Sequence, residues 1–381
     1  MKKSVLAVAM STALGLSAGA NAAGIEDELA AIKARLSALE QQVQDQNAVI
    51  REKEREIAEL KSGTADAGSS RGDGWFNKVE VGGLIEVEAS HVSADGANDD
   101  DDLVTGTVEL GIAAQVNDWV GAEIVLKFEE ETDNSDGTNS DIDVDTAMVT
   151  VADPDSNWFV NAGQYTLPFG TYPTNMVTDP LTLELGETGD TAIEFGMNFG
   201  PLTASVFTFD GDNSNSAVNR FGAALGAEME GNGVALNAHL GYLSDISETD
   251  GFVDYGVDDN NDSVPGWIAS AELSAGAFIL IAEYLAATDS FSAAPGDEPS
   301  AFNVEAGVNF EFANRPAVFA VSHQKTDDMG TIDPDFAEKR NSAAFTVESM
   351  DGTSIAIEYL TQESYAGDDT DIITGQLAVE F

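Results

Sequence analysis

From residue 76 to the end of the chain, apolar and polar positions alternate with a period of two. Val79, Val81, Gly83, Ile85, Val87 and Ala89 fall on one face of an extended chain. Glu80, Gly82, Leu84, Glu86, Glu88 and Ser90 fall on the other. The same rhythm returns over 104–115, 302–312 and 373–381. Alternation held for about ten residues predicts strands that are apolar outward and polar inward, as in a membrane-spanning barrel. Sixteen strands are predicted, over 79–92, 103–117, 120–130, 142–152, 158–167, 189–199, 201–210, 219–230, 233–243, 266–275, 277–287, 301–312, 316–326, 340–349, 353–363 and 371–381. The alternation is weak over 142–152, 158–167, 201–210 and 316–326. The expected fold is an all-β transmembrane barrel of about 16 antiparallel strands.

The connections follow a second alternation. Links such as Asn117-Asp118-Trp119, Gly200, Gly231-Asn232, Gly276 and Asn314-Arg315 are short. Between them lie long acidic ones: 94–102, 130–141, 168–188, 211–218, 244–265, 288–300 and 327–339. Short periplasmic turns and long external loops are the habit of outer-membrane barrels, so both ends of the barrel segment fall on the periplasmic side. Trp75, Phe76, Trp119, Trp158, Phe159 and Phe381 sit at the predicted periplasmic strand ends, where interface aromatics belong.

Ahead of the barrel the period changes. Residues 1–22 read as an export signal: Lys2 and Lys3, an apolar run over 5–16, and Ala20-Asn21-Ala22 as a cleavage site. Ile25, Leu29, Ile32, Leu36, Leu39, Val43, Gln46, Ile50, Lys53, Ile57 and Leu60 then recur at spacings of four and three. Residues 25–60 are therefore expected to form a periplasmic α-helical coiled coil that joins copies of the chain, with a trimer favoured by Leu at a and Ile at d in its first half. Residues 61–75 read as a flexible Gly/Ser/Asp linker, and 76–381 as the barrel.

Charge sharpens this picture. The 381 residues carry 16 Lys+Arg against 68 Asp+Glu, a formal net charge of −52. Such acidity argues against a nucleic-acid partner, because phosphate binding needs clustered Lys and Arg. No Cys is present, which excludes a disulfide framework and a thiolate metal site, and three His with no local partners point to no enzyme. In the signal and the helix the bases nearly balance the acids. The negative charge thus lies in the loops and on the inward strand face.

The predicted lumen collects Glu80, Glu86, Glu88, Glu109, Glu123, Glu129, Glu194, Glu272, Glu283, Glu305, Glu311 and Glu358, with Lys127 as the basic exception and His239 also inward. An acidic lining favours cations, although every water-filled barrel needs a polar wall. The stretch 168–188, opening with Pro168, Phe169 and Gly170, is either an inward constriction or a surface lid. Asp258, Asn260 and Asp262 have the spacing that begins a calcium loop, but the Gly and the closing Glu are missing. No cofactor is expected beyond weak surface Ca2+ or Mg2+.

The succession of signal, heptad helix, linker and then Trp75 to Ala89 (WFNKVEVGGLIEVEA) resembles siderophore porins of the LbtU family. The segment 160–170 (VNAGQYTLPFG) is similar to that family too, although the Gly-Gln-Tyr and Pro-Phe-Gly arrangement is shared with phosphate-type porins that carry N-terminal coiled coils. The resemblance implies a bacterial outer-membrane porin that takes up a ferric-siderophore without an obligatory plug. The open alternatives are a general cation-favouring porin for small solutes and a tether between membrane and cell wall.

Overall fold

The computed structural model describes residues 78–94, 99–129, 142–211, 218–257 and 263–381. The signal at 1–22, the coiled coil at 25–60 with its trimer, the linker at 61–75 and the candidate calcium ligands Asp258, Asn260 and Asp262 lie outside the described residues.

The strands are β1 (Lys78–Ala94), β2 (Asp100–Val104), β3 (Thr107–Gln115), β4 (Val120–Glu129), β5 (Asp143–Ala152), β6 (Trp158–Thr166), β7 (Gly189–Phe199), β8 (Leu202–Phe209), β9 (Arg220–Gly231), β10 (Val234–Leu243), β11 (Gly266–Ala275), β12 (Phe278–Ala287), β13 (Ser300–Phe312), β14 (Arg315–Asp327), β15 (Ala337–Met350), β16 (Thr353–Ser364) and β17 (Asp369–Glu380). Each pairs antiparallel with its neighbour in one sheet, and β1 pairs with β17 to close it. Closure leaves no sheet edge, so every wall N–H and C=O has a partner without water. The seam is finished by Phe381, whose N–H donates to the Gly83 carbonyl at 3.1 Å while the Gly83 N–H donates to the Phe381 carbonyl at 3.0 Å. A side chain at Gly83 would meet the Glu109 carbonyl and the Phe381 ring, both at 2.7 Å.

The seventeen elements make sixteen staves. Both β2 and β3 pair with β1, with Val104 opposite Glu88 and Val108 opposite Ile85, so one extra residue sits between them. This bulge at Thr105-Gly106 interrupts a single stave. The stave also reaches further than the alternation suggests. Asp100, Asp101 and Asp102, read from sequence as loop, pair with Val92, His91 and Ser90. Backbone pairing there outweighs side-chain charge, because the partner strand β1 continues to Ala94.

The outer face is apolar. Val81, Ile124, Ile193, Val206, Leu240, Leu280, Val321 and Ile357 are all exposed there. Aromatics fringe this band at both ends. Phe199, Phe278, Phe312 and Phe381 mark the short-turn end. Phe221 with Tyr242, and Trp267 with Tyr284, mark the other, at ring separations of 6.2 and 5.2 Å. An apolar band between aromatic girdles is the surface a lipid bilayer covers. Val321 lies midway along β14 on this face. Val321→Arg is expected to destabilise the folded barrel by about 2–4 kcal/mol, read as a lower urea midpoint in lipid vesicles.

A second core fills the long-loop end, inside the wall. Leu167, Phe169, Phe209, Leu243, Ile268, Leu285 and Phe291 are buried there. They pack with Leu181 and Leu185 of a short helix α1 (Leu181–Gly186), Phe252 of helix α2 (Asp250–Asp254), and Ile246 of a 3-10 turn (Ile246–Glu248). Phe252 and Phe291 approach to 4.9 Å between ring centroids. Arg220 is the polar centre of this cap, 2.9 Å from Asp245 and 2.8 Å from Glu248. The described residues of these connections are therefore folded structure on this side of the barrel.

Candidate functional site

The register places every sequence-predicted wall residue on the inner face. Glu109 lies opposite Lys127, Ala113 opposite Glu123, and Glu88 opposite Gln376. Glu88 accepts from Gln376 Nε2 at 2.9 Å. The three His residues separate as the parity requires. His239 is inward, whereas His91 and His323 share the outward parity, and His323 Nδ1 lies 2.8 Å from Asn341 Oδ1.

The stretch between β6 and β7 is inside the barrel. It leaves the wall at Leu167, crosses to the opposite staves and returns through α1. Its contacts can be followed in order. The Phe169 carbonyl lies 2.9 Å from His239 Nε2, and Thr171 Oγ1 lies 2.8 Å from Ser270 Oγ. Thr174 Oγ1 and the Asn175 backbone N–H donate to Glu305 at 3.0 and 2.9 Å, and the Asn175 side-chain amide donates to the same carboxylate. The N–H groups of Val177 and Thr178 both donate to Glu358. The Leu181 N–H donates to Gln324 at 2.8 Å, and Thr182 Oγ1 to Glu283 at 2.8 Å. Arg340 donates to the Asp179 carbonyl at 3.0 Å and to the Glu184 carboxylate at 2.7 Å.

These wall partners are neighbours across strands. Glu283 is opposite Asn303, Asn303 opposite Gln324, Gln324 opposite Arg340, and Arg340 opposite Gln362. From this polar row Glu283, Gln324 and Arg340 bind the segment directly, and Gln362 accepts from Arg340. An irregular backbone at membrane depth needs such acceptors, since each bare N–H there costs several kcal/mol. Close approach adds a second condition. A side chain at Gly241 would meet the Phe169 carbonyl at 1.8 Å, so the wall must be bare where the segment passes. Tyr172 holds the left-handed φ of 44° in the same segment, a rare conformation for a bulky residue that the surrounding contacts must enforce.

Glu283, Glu305 and Glu358 are consequently at most 3% exposed, so they hold the segment and do not face open water. Phe169 is buried in the loop core, and Pro168 to Gly170 form the root of the segment. Glu194 is also buried and accepts from Asn161 Nδ2 at 2.8 Å. The sequence reading missed Gln324 and Arg340 among the segment's partners. Inward parity along β14 and β15 was the signal that could have found them. The weak alternation over 316–326 hid it, because Ala and Ser fill several positions there.

None of the segment's hydrogen bonds traced above ends on β1, β3 or β4. Glu86, Glu88, Glu109, Lys127 and Glu129 project from β1, β3 and β4, and Asp179 and Glu187 approach them from the segment. Lys127 Nζ lies 2.8 Å from Glu129. Burial pushes the Asp179 carboxyl above its ordinary range, Glu184 adds to this, and Lys127 opposes it. Burial also raises Glu187, against the pull of Lys127. Glu86 lies within electrostatic reach of both Asp179 and Glu109. One cavity of about 500 Å³ lies between Pro168, Glu194, Glu228 and His239, and another of about 490 Å³ beside Glu80, Glu123 and Trp119. No group of three or more His, Asp or Glu among the described residues could hold a metal ion.

No family model matches the chain. It is similar to a UPF0422 protein of Coxiella burnetii, 24% identical over 307 residues that make up 76% of this chain and 65% of that protein. It is also similar to a UPF0422 protein of Legionella pneumophila (strain Paris), 26% identical over 290 residues, 69% of this chain and 54% of that protein. The chain thus spans between about half and two thirds of the length of the curated relatives it matches. In fold it is similar to the outer membrane channel DcaP of Acinetobacter baumannii (TM-score 0.56, 15% identity, 80% of this chain and 97% of that one). Salmonella typhi OmpF is comparable (TM-score 0.57, 14% identity, 81% and 98%), as is Pseudomonas putida OprB (TM-score 0.56, 11% identity, 80% and 94%). The chain is a 16-stranded antiparallel β-barrel with the porin fold that these outer-membrane proteins share.

Proposed function

We propose that the chain is a bacterial outer-membrane channel for small solutes, narrowed by the segment 167–188 and favouring cations. The observation that carries this is the acidic gap between the segment and β1, β3 and β4. Asp179 and Glu187 on one side and Glu86, Glu109 and Glu129 on the other are answered by the amine of Lys127, with Arg340 also acting on Asp179. Low-dielectric walls focus such a field and concentrate the opposite charge. The short-turn end faces the periplasm in this reading, and residues 25–60 join copies of the chain there, as a trimer. The ferric-siderophore cargo implied by the sequence resemblance would have to cross the same gap. An anionic complex would be repelled, so the cargo is read as small cations and neutral solutes.

The test is conductance of the purified protein in planar bilayers. Stepwise current increments are expected, and a protein that inserts without conducting would remove this function. Acidification adds a second expectation. Asp179 and Glu187 take up protons at a higher pH than ordinary carboxylates, because both are raised. Cation preference should therefore begin to fall while pH is still above about 4, where free Asp and Glu titrate. Zero-current potentials measured across a pH series check this. A preference that stays constant down to that range would contradict it.

A further inference from the structure

We infer that the recess between the root of segment 167–188 and strands β7 to β11 is a binding subsite for a small hydroxylated amine, a cation that carries hydroxyl groups on a short open chain. The inference rests on the channel reading above and deepens it, because it names the class of solute that stops in the lumen.

The recess consists of two adjoining cavities, of about 500 and 310 Å³, that share Thr171, Gly226, Glu228 and His239. Its floor is bare because small residues of β9 face inward there. Ala224 stands opposite Ser205, and Gly226 stands opposite both Thr203 and His239. A Cβ at Gly226 would find its nearest neighbour, Thr203, at 4.0 Å, so the space over this glycine is open. Gly241 on the next strand is bare for a different reason: the Phe169 carbonyl of the segment covers it. Pro168, Gly170 and Thr171 line the larger cavity from the segment.

The polar groups around this floor point to the ligand. Ser205 is 8% exposed and lines the larger cavity, and among the described residues nothing bonds to its hydroxyl. Buried polar groups are normally paired, so a buried hydroxyl turned into a cavity calls for a partner from outside the chain. Glu194, also buried, gives one oxygen to the Asn161 amide and lines the same cavity. Glu228, Asn237 and Glu272 stand opposite one another on β9, β10 and β11, and among the described residues none of their side chains has a hydrogen-bond partner. Two strand spacings set Glu228 and Glu272 about 10 Å apart at the backbone. Among the described residues no Lys or Arg lines either cavity, so an anion finds no countercharge and the three carboxylates select an ammonium. An ammonium only donates, whereas the Ser205 hydroxyl and the Asn237 amide have protons to give and need an acceptor. A ligand hydroxyl supplies that acceptor. Neither cavity is lined by a Phe, Tyr or Trp ring on which a sugar ring could stack, which favours an open chain.

The experiment is isothermal titration calorimetry of the purified full-length protein in detergent, which reads binding without requiring conduction. Glucamine, the amine of the sorbitol chain, is the probe. Sorbitol is its uncharged counterpart, and pentylamine is an amine without hydroxyls. Glucamine is expected to bind about tenfold or more tightly than either, the factor that one hydrogen bond to a charged group contributes. Gly226→Val puts a side chain into the open space and should abolish binding. Glu228→Gln should weaken it by about tenfold. No binding of glucamine, equal binding of sorbitol or pentylamine, or a Gly226→Val protein that binds as the parent does overturns the inference. Should Gly226→Val not assemble, Glu228→Gln takes its place, and unaltered binding by that variant overturns the inference equally. A protein that conducts but does not bind glucamine keeps the channel reading and loses this site. One that binds it but carries no current loses the channel reading and keeps the site.

Discussion

Replacing Glu305 and Glu358 together with Ala is expected to free the inner segment and enlarge the conducting path. Five donors end on these two carboxylates: Thr174 Oγ1, both nitrogens of Asn175, and the N–H groups of Val177 and Thr178. A hydrogen bond to a charged acceptor contributes about 1.5–3 kcal/mol. Losing this set removes on the order of 5 kcal/mol or more of local anchoring, and it leaves backbone N–H groups that must find water. The remaining tethers, at His239 and Ser270 near the root and at Gln324, Glu283 and Arg340 near α1, hold the two ends of the segment and leave its middle free. Single-channel conductance should therefore rise, and larger neutral sugars should enter liposomes carrying the variant. Glu311→Ala is the matched control. Glu311 is inward on the same strand but exposed near the short-turn end, so its loss should leave conductance close to that of the parent. A double variant with unchanged conductance would falsify the constricting role of the segment.

The second large effect is expected at Arg220. Its side chain is 11% exposed, while Asp245 and Glu248 are fully buried beside it. Arg220→Ala leaves two acids in the loop core without their cation. Breaking a buried pair in this way costs about 3–5 kcal/mol. Asp245 also accepts from Ser247 Oγ at 2.8 Å and from the Val264 N–H at 3.2 Å, so its displacement would pull the 3-10 turn and the return to β11 apart. The strand pairing does not depend on these bonds. The variant should keep its β-sheet circular dichroism and yet be cut by external protease between residues 244 and 265. Protection equal to that of the parent would show that the hydrophobic contacts of Phe252 and Ile246 hold the cap alone.

The barrel was legible in the sequence because its physics is periodic. Lipid on one side and water on the other force a period of two, and a parity error flips every side chain of a stave. Predicted and observed strands therefore coincide at 189–199 and 266–275 and differ elsewhere mainly at their loop ends. Those ends differ because pairing continues past the membrane, as in β2 and at Ala337 to Lys339, where composition already looks like loop. The inward set from Glu80 to Glu358 follows from the same parity. What the sequence could not display was which inward acids meet water. That depends on where a nonperiodic segment folds, and the bonds that direct it span more than a hundred residues, as from Asn175 to Glu305. Glu109 and Glu305 look alike in their strands, yet one faces the gap and the other is covered.

The most direct test is the zero-current potential of the unaltered protein in a planar bilayer between unequal KCl solutions at neutral pH. An acidic gap with one compensating lysine predicts a potential of the sign that marks K+ as the more permeant ion, shrinking as ionic strength rises and the field is screened. A potential of the opposite sign, marking Cl− as the more permeant ion, would contradict the account.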